Sequence, residues 1–169
     1  KLINDIASEC SMPICYGGGI KTLDEIEHLI RMGIEKIALS SSAIMNPSLL
    51  KTASDRVGSQ SIVVVLDIKK IGLINKSYKI FTHNGKESIN INLIDLIQGL
   101  EDKGVGEIVI NSIDRDGTMK GYDMNLMDIV FENTNIPVTA LGGAGNYQDL
   151  TELIQRYKII GAAAGSIFV

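Results

Sequence analysis

Short apolar runs alternate with amphipathic stretches from one end of the chain to the other. Leu2, Ile3, Ile6 and Ala7 have helical spacing, and Met12–Tyr16 reads as a short strand that runs into Gly17-Gly18-Gly19. Thr22 with Glu25 three residues on forms a capping box, and the helix it opens continues through Ile26, Leu29 and Ile30 to Gly33. Lys36–Leu39 is the next strand and delivers Ser40-Ser41-Ser42. Asn46-Pro47 opens a helix that ends near Gly58. Ser61–Leu66 is β-branched, short and without a 3.6-residue period, so it predicts a buried strand ending at Asp67.

Residues 78–83 and 86–89, joined by Asn84-Gly85, break the alternation and predict a β-hairpin. A helix over roughly 92–103, closed by Gly104, restores it. Glu107–Ile110 is a strand delivering Asn111–Thr118, and Leu126–Glu132 is helical. Ile136–Ala140 is a strand delivering Gly142-Gly143-Ala144-Gly145, and a helix spans 147–156. Ile159–Ala164 is the last strand and delivers Gly165-Ser166. Strand and helix alternating in this way predict parallel strands joined by right-handed crossovers. Polar and glycine-rich residues cluster after each strand, on the face where a (β/α)8 barrel carries its active site. A doubly wound sheet is the alternative architecture.

Residues 12–34 align without a gap with residues 136–158. Pro13 matches Pro137, Gly18-Gly19 matches Gly142-Gly143, and Leu29-Ile30 matches Leu153-Ile154; one extra residue then sets Ser41 opposite Ser166. Each copy is strand, Gly-Gly, helix, strand, Ser, which predicts a pseudo-twofold barrel with two equivalent sites. A glycine pair lets a ligand approach the backbone, the Ser adds a donor, and free N–H groups at the following helix start would favour an anion. Two such sites would hold a substrate with a phosphate at each end. Asp67, at the C-terminal end of an apolar strand, is costly unless it is paired or reactive. Asp114 and Asp116 flank a turn at Gly117, where Asp is also a common turn former.

The net charge of −4 over 169 residues, with acids and bases interspersed, argues against a nucleic-acid or membrane-surface role driven by bulk charge. No apolar run approaches the roughly 20 residues that span a bilayer. Cys10 and Cys15 are expected to be reduced, buried thiols in the cytosol, and two Cys with two scattered His make no metal cluster. Neither metal nor cofactor is expected. The chain starts at Lys1, inside an expected helix, and stops at Val169 without a cap, so it is expected to be a piece of a longer protein.

Gly17-Gly-Gly-Ile20, Asn46-Pro-Ser-Leu49, Asp67 before Ile-Lys-Lys, Ser112-Ile-Asp-Arg-Asp-Gly-Thr118, Gly121-Tyr-Asp123 and Gly142-Gly-Ala-Gly145 together resemble the cyclase (HisF-type) subunit of imidazole glycerol phosphate synthase. The resemblance covers the whole chain. It implies one domain over residues 1–169, a (β/α)8 barrel incomplete at its N-terminus that holds barrel strands three to eight, with the hairpin inserted after the fifth. It also implies a reaction. A glutaminase partner releases ammonia, which crosses the barrel and attacks a bisphosphorylated ribulosyl-formimino aminoimidazole carboxamide nucleotide. The products are imidazole glycerol phosphate and aminoimidazole carboxamide ribonucleotide.

By this resemblance Asp67 is one of two acid–base aspartates, the other belonging to the first barrel strand. Gly19, Ser40 and Ser41 fall on one phosphate site; Gly117, Gly143, Gly165 and Ser166 fall on the other; Asp116 matches a substrate contact. Lys36 and Glu107 open their strands and match the charged ring that gates ammonia, where the two could pair. Ser40-Ser41, Asn111, Leu141, Cys15-Tyr16 and Met119-Lys120 depart from the family pattern. They resemble cyclase-like paralogues that serve amidotransferases in surface-polysaccharide sugar modification, which is one alternative function. A non-catalytic phosphate-binding scaffold is another. Six strands leave two open edges, so the piece alone is expected to associate or be poorly stable, and to be inactive.

Overall fold

The computed structural model describes residues 2–72, 77–83 and 85–168. Seven α-helices and eight strands lie within them. The parallel strands are β1 (Cys15–Gly17), β2 (Lys36–Leu39), β3 (Ile62–Ile71), β6 (Glu107–Ser112), β7 (Val138–Leu141) and β8 (Gly161–Ala162). They neighbour one another in the order β1-β2-β3-β6-β7-β8, and β4 (Ser77–Thr82) with β5 (Glu87–Ile89) branches off β3. Helices α2 (Leu23–Arg31), α4 (Pro47–Val57), α5 (Leu93–Glu101), α6 (Met124–Phe131) and α7 (Tyr147–Tyr157) alternate with them. This is an incomplete (β/α)8 barrel with a hairpin inserted after β3, as the alternation of patterns predicts.

The chain divides into two units, Lys1–Val64 with Asp102–Glu107, and Val65–Glu101 with Ile108–Val169. In the first, β1, β2 and the start of β3 pair in parallel, with Gly17 opposite Ala38 and Leu39 opposite Val64. Ile26, Ile37, Leu39, Leu50 and Ile62 fill its core. In the second, β6, β7 and β8 pair in parallel, and Leu66, Ile68, Ile80, Ile97, Leu100, Ile108 and Ile110 are fully buried.

Strand geometry sends alternate side chains to opposite faces. Ile108, Ile110 and Ser112 of β6 are buried, and Glu107, Val109 and Asn111 between them are half-buried. The alternation repeats in β3, where Leu66 and Ile68 are buried and Val65 and Asp67 are not. One face therefore carries the apolar packing and the other carries the polar residues of interest.

Three local expectations differ from the structure. β3 does not end at Asp67 but continues to Ile71, because Asp67–Ile71 pair antiparallel with β4, Asp67 opposite Phe81 and Ile71 opposite Ser77. Ile68 and Ile80, paired across that ladder, are buried and hold the extension in place. The strand expected over Ile159–Ala164 is only Gly161–Ala162. Cys15 is exposed instead of buried, since β1 lies at the end of the strand order; neither cysteine forms a disulfide. Asn84 of the predicted Asn-Gly turn lies outside the described residues. Gly85 has φ 75°, the left-handed conformation such a turn requires.

Tyr78 of β4 fastens the hairpin to α6. Its hydroxyl donates to both carboxylate oxygens of Asp123, at 3.0 and 3.1 Å. Asp123 is buried and also caps α6 by accepting from the Leu126 N–H at 3.2 Å. Burial, and then the Asp123 carboxylate, push the Tyr78 hydroxyl well above the usual phenol range. A raised acid favours the neutral form in the folded state, so this contribution is complete below the free phenol's pKa of about 10 and is lost above it. Tyr78→Phe leaves a buried carboxylate short of a donor. It is expected to cost about 2 kcal/mol in urea unfolding at neutral pH and less above about pH 10. An unchanged midpoint would show that the contact contributes nothing.

Candidate functional site

Asp67 lies where β3 leaves its parallel neighbours and takes up β4, on the half-buried face. One of its oxygens, Oδ1, accepts a hydrogen bond of 2.8 Å from the Asn111 side-chain amide. Asn111 sits on the same face of β6, opposite Leu141 of β7. The sequence singles out Asp67 and treats Asn111 only as a departure from the family pattern. The signal that could have found it is the period-2 register of β6, which puts Asn111 on the face of Glu107 and Val109.

The loop after β6 is built around Ser112. Its carbonyl accepts from the N–H groups of Arg115 and Asp116, both at 3.0 Å, and Gly117 follows at φ 70°. Asp114 Oδ2 accepts from the Lys70 N–H at 2.6 Å, which ties the loop to β3. Asp116 and Gly117 are exposed. The Gly121 N–H donates to the Gly143 carbonyl at 2.8 Å, and Tyr122 Oη donates to the Ala163 carbonyl at 2.9 Å. These bonds join the loop to the ends of β7 and β8. Gly117, Gly143, Gly165 and Ser166 thus all follow the C-terminal ends of β6, β7 and β8, which lie side by side.

In the other unit, Gly17 pairs with Ala38, so Gly18-Gly19 and Ser40-Ser41 leave adjacent strand ends. Gly18 and Gly19 have φ 138° and 70°, and Gly142 and Gly143 have φ 91° and 107°, so both glycine pairs use conformations that side chains disfavour. The copies differ in surroundings. A Cβ on Gly18 or Gly19 would meet nothing within 4 Å. On Gly142 it would lie 2.7 Å from the Ser112 carbonyl oxygen, and on Gly143 2.2 Å from that of Gly121.

Two N–H groups just before each helix, and that of its third residue, are occupied. Glu25 Oε2 accepts from the Lys21 and Thr22 N–H groups, at 2.8 and 3.0 Å. Asp149 Oδ2 does the same for Gly145 and Asn146, at 2.7 and 3.1 Å. Both α2 and α7 therefore carry a capping box. Those backbone donors hold the Glu25 carboxyl below the usual range.

Lys36 and Glu107 pair at the start of β2 and β6, with Lys36 Nζ 2.5 Å from Glu107 Oε2. The half-buried pair lies at the N-terminal ends of the strands, opposite the glycine loops. An open depression of about 450 Å³ beside it is lined by Ile30, Gly33, Ile34, Glu35, Lys36, Gln60 and Ser61. Among the described residues there is no cluster of three or more His, Cys, Asp or Glu that could hold a metal, and no helix long and apolar enough to cross a membrane.

Comparison with known proteins places the chain. A family model described as "Histidine biosynthesis protein" matches residues 1–169. A Vibrio vulnificus protein named "Putative imidazole glycerol phosphate synthase subunit hisF3" is 46% identical over 99% of this chain and 64% of its own length. A Leptospira borgpetersenii protein named as the HisF subunit of that synthase, with the same qualifier, is 46% identical over 100% of this chain and 66% of its own. The "Imidazole glycerol phosphate synthase subunit HisF" of Natranaerobius thermophilus is 38% identical over 99% and 66%. The chain thus spans about two thirds of the length of these relatives.

Proposed function

Since the chain belongs to the histidine biosynthesis protein family, we propose that it is part of the cyclase subunit of imidazole glycerol phosphate synthase. In this reading ammonia from a glutaminase partner enters past Lys36 and Glu107. It reacts with a bisphosphorylated nucleotide in the cytoplasm, giving imidazole glycerol phosphate and aminoimidazole carboxamide ribonucleotide. Asp67 is the acid–base residue that this chain supplies. Ring closure needs protons both delivered and removed, and a positioned carboxylate does either according to its state. Gly19, Ser40 and Ser41 hold one phosphate; Gly117, Gly143, Gly165 and Ser166 hold the other, and Asp116 contacts the substrate.

The observation that carries this reading is Asp67 on the half-buried face of β3, bonded to Asn111, in a chain matched along its whole length by the family. The full-length protein, given ammonium salt and the bisphosphorylated nucleotide without any partner, is expected to release imidazole glycerol phosphate. Product analysis by chromatography checks this. No product under those conditions would sink the reading, and would leave amination of a sugar as the reaction to test next.

A further inference from the structure

The Asn111 amide has a fixed orientation. Its Nδ2 donates to Asp67 Oδ1 at 2.8 Å, and turning the amide over would set its carbonyl oxygen against the carboxylate. The carbonyl oxygen, Oδ1, is therefore forced to face away from Asp67. It is buried and has no hydrogen-bond partner among the described residues. A buried acceptor without a donor is costly, and native structures seldom keep one without a reason. What lies near it is the glycine turn after β7: a Cβ on Gly142 would come within 3.3 Å of Asn111 Oδ1. A side chain at position 142 would crowd that oxygen and the Ser112 carbonyl oxygen, 2.7 Å away.

Asp67 and Asn111 together offer mainly acceptors, and the one donor group, Asn111 Nδ2, gives one of its two N–H groups to Asp67. The pair is matched to a ligand bearing N–H groups. We propose that Asn111 is a positioning and specificity residue: its Nδ2 holds Asp67 in place for proton transfer, and its Oδ1 accepts a hydrogen bond from an N–H of the ligand that enters beside Asp67. The inference rests on the cyclase reading. Two ligands there carry N–H groups, ammonia and the carboxamide-bearing nucleotide.

Two variants of the full-length protein test it in the ammonium-driven reaction, with KM measured for ammonium and for the nucleotide separately. Asn111→Leu keeps the side chain's size and removes both donor and acceptor. It is expected to raise one of the two KM values about tenfold or more, the change expected for a lost hydrogen bond to a buried polar group, and to leave the other within about threefold. The KM that moves identifies the ligand. Asn111→Asp keeps an acceptor in the same shape and loses the donor to Asp67. It is expected to lower kcat about tenfold or more while holding that same KM near the wild-type value.

A residue that merely supports the fold would not lower kcat with KM held in Asn111→Asp and lower kcat while raising a single KM in Asn111→Leu. Where Asn111→Leu does not melt cooperatively, the near-isosteric Asn111→Asp carries the test. Wild-type kcat in Asn111→Asp, or both KM values unchanged in Asn111→Leu, overturns the inference alone. A wild-type protein that turns nothing over overturns the cyclase reading and this inference together.

Discussion

Asp67→Asn in the full-length protein is expected to lower kcat about a hundredfold or more, with KM for the nucleotide changed little. The substitution is nearly isosteric, and the new amide still offers an oxygen to the Asn111 Nδ2 that now reaches Asp67 Oδ1 at 2.8 Å. The buried alternation around it, Leu66 and Ile68 against Val65 and residue 67, is untouched. The fold is retained and only the capacity to carry a proton is lost. Steady-state kinetics with saturating ammonium measure this directly. A variant that turns over at the wild-type rate would reject the acid–base role.

Gly143→Ala is expected to cost about 3 kcal/mol or more in urea unfolding, whereas Gly19→Ala is expected to cost about 1 kcal/mol. The sequence repeat makes the two positions equivalent, and both have positive φ, 107° and 70°. The difference lies in what surrounds them. A methyl group on Gly143 would sit 2.2 Å from the Gly121 carbonyl oxygen, a backbone atom whose own residue donates its N–H to the Gly143 carbonyl at 2.8 Å. Relieving that clash means breaking the join between the loop after β6 and the end of β7. At Gly19 the methyl group meets nothing within 4 Å, so only the backbone strain remains. Equal destabilisation of the two variants would contradict this account.

The fold class was legible because each element depends on local rules. β-branched runs such as Ile62–Val65 and capping signals such as Thr22 with Glu25 act within a few residues, and the structure has both. The family was legible for a different reason, since the motif around Ser112–Thr118 is specific and lies in one stretch of chain. The hairpin's partner was not legible. β4 pairs with the far half of β3, and that choice depends on burying Ile68 against Ile80. Nor was the second capping box, Asn146 with Asp149, read from the repeat, although the two stand where Thr22 and Glu25 do.

The sequence alone determined the alternation of strands and helices, the twofold Gly-Gly repeat, and Asp67 as the carboxylate to watch. Those follow from side-chain periodicity and backbone preference, which are properties of neighbouring residues. Only the tertiary structure decided that Asp67 is held by Asn111, that Lys36 meets Glu107, and that the second glycine pair is packed where the first is open. Each of these joins residues of different strands or loops, and their meeting is set by strand register and core packing, which no local stretch of chain encodes.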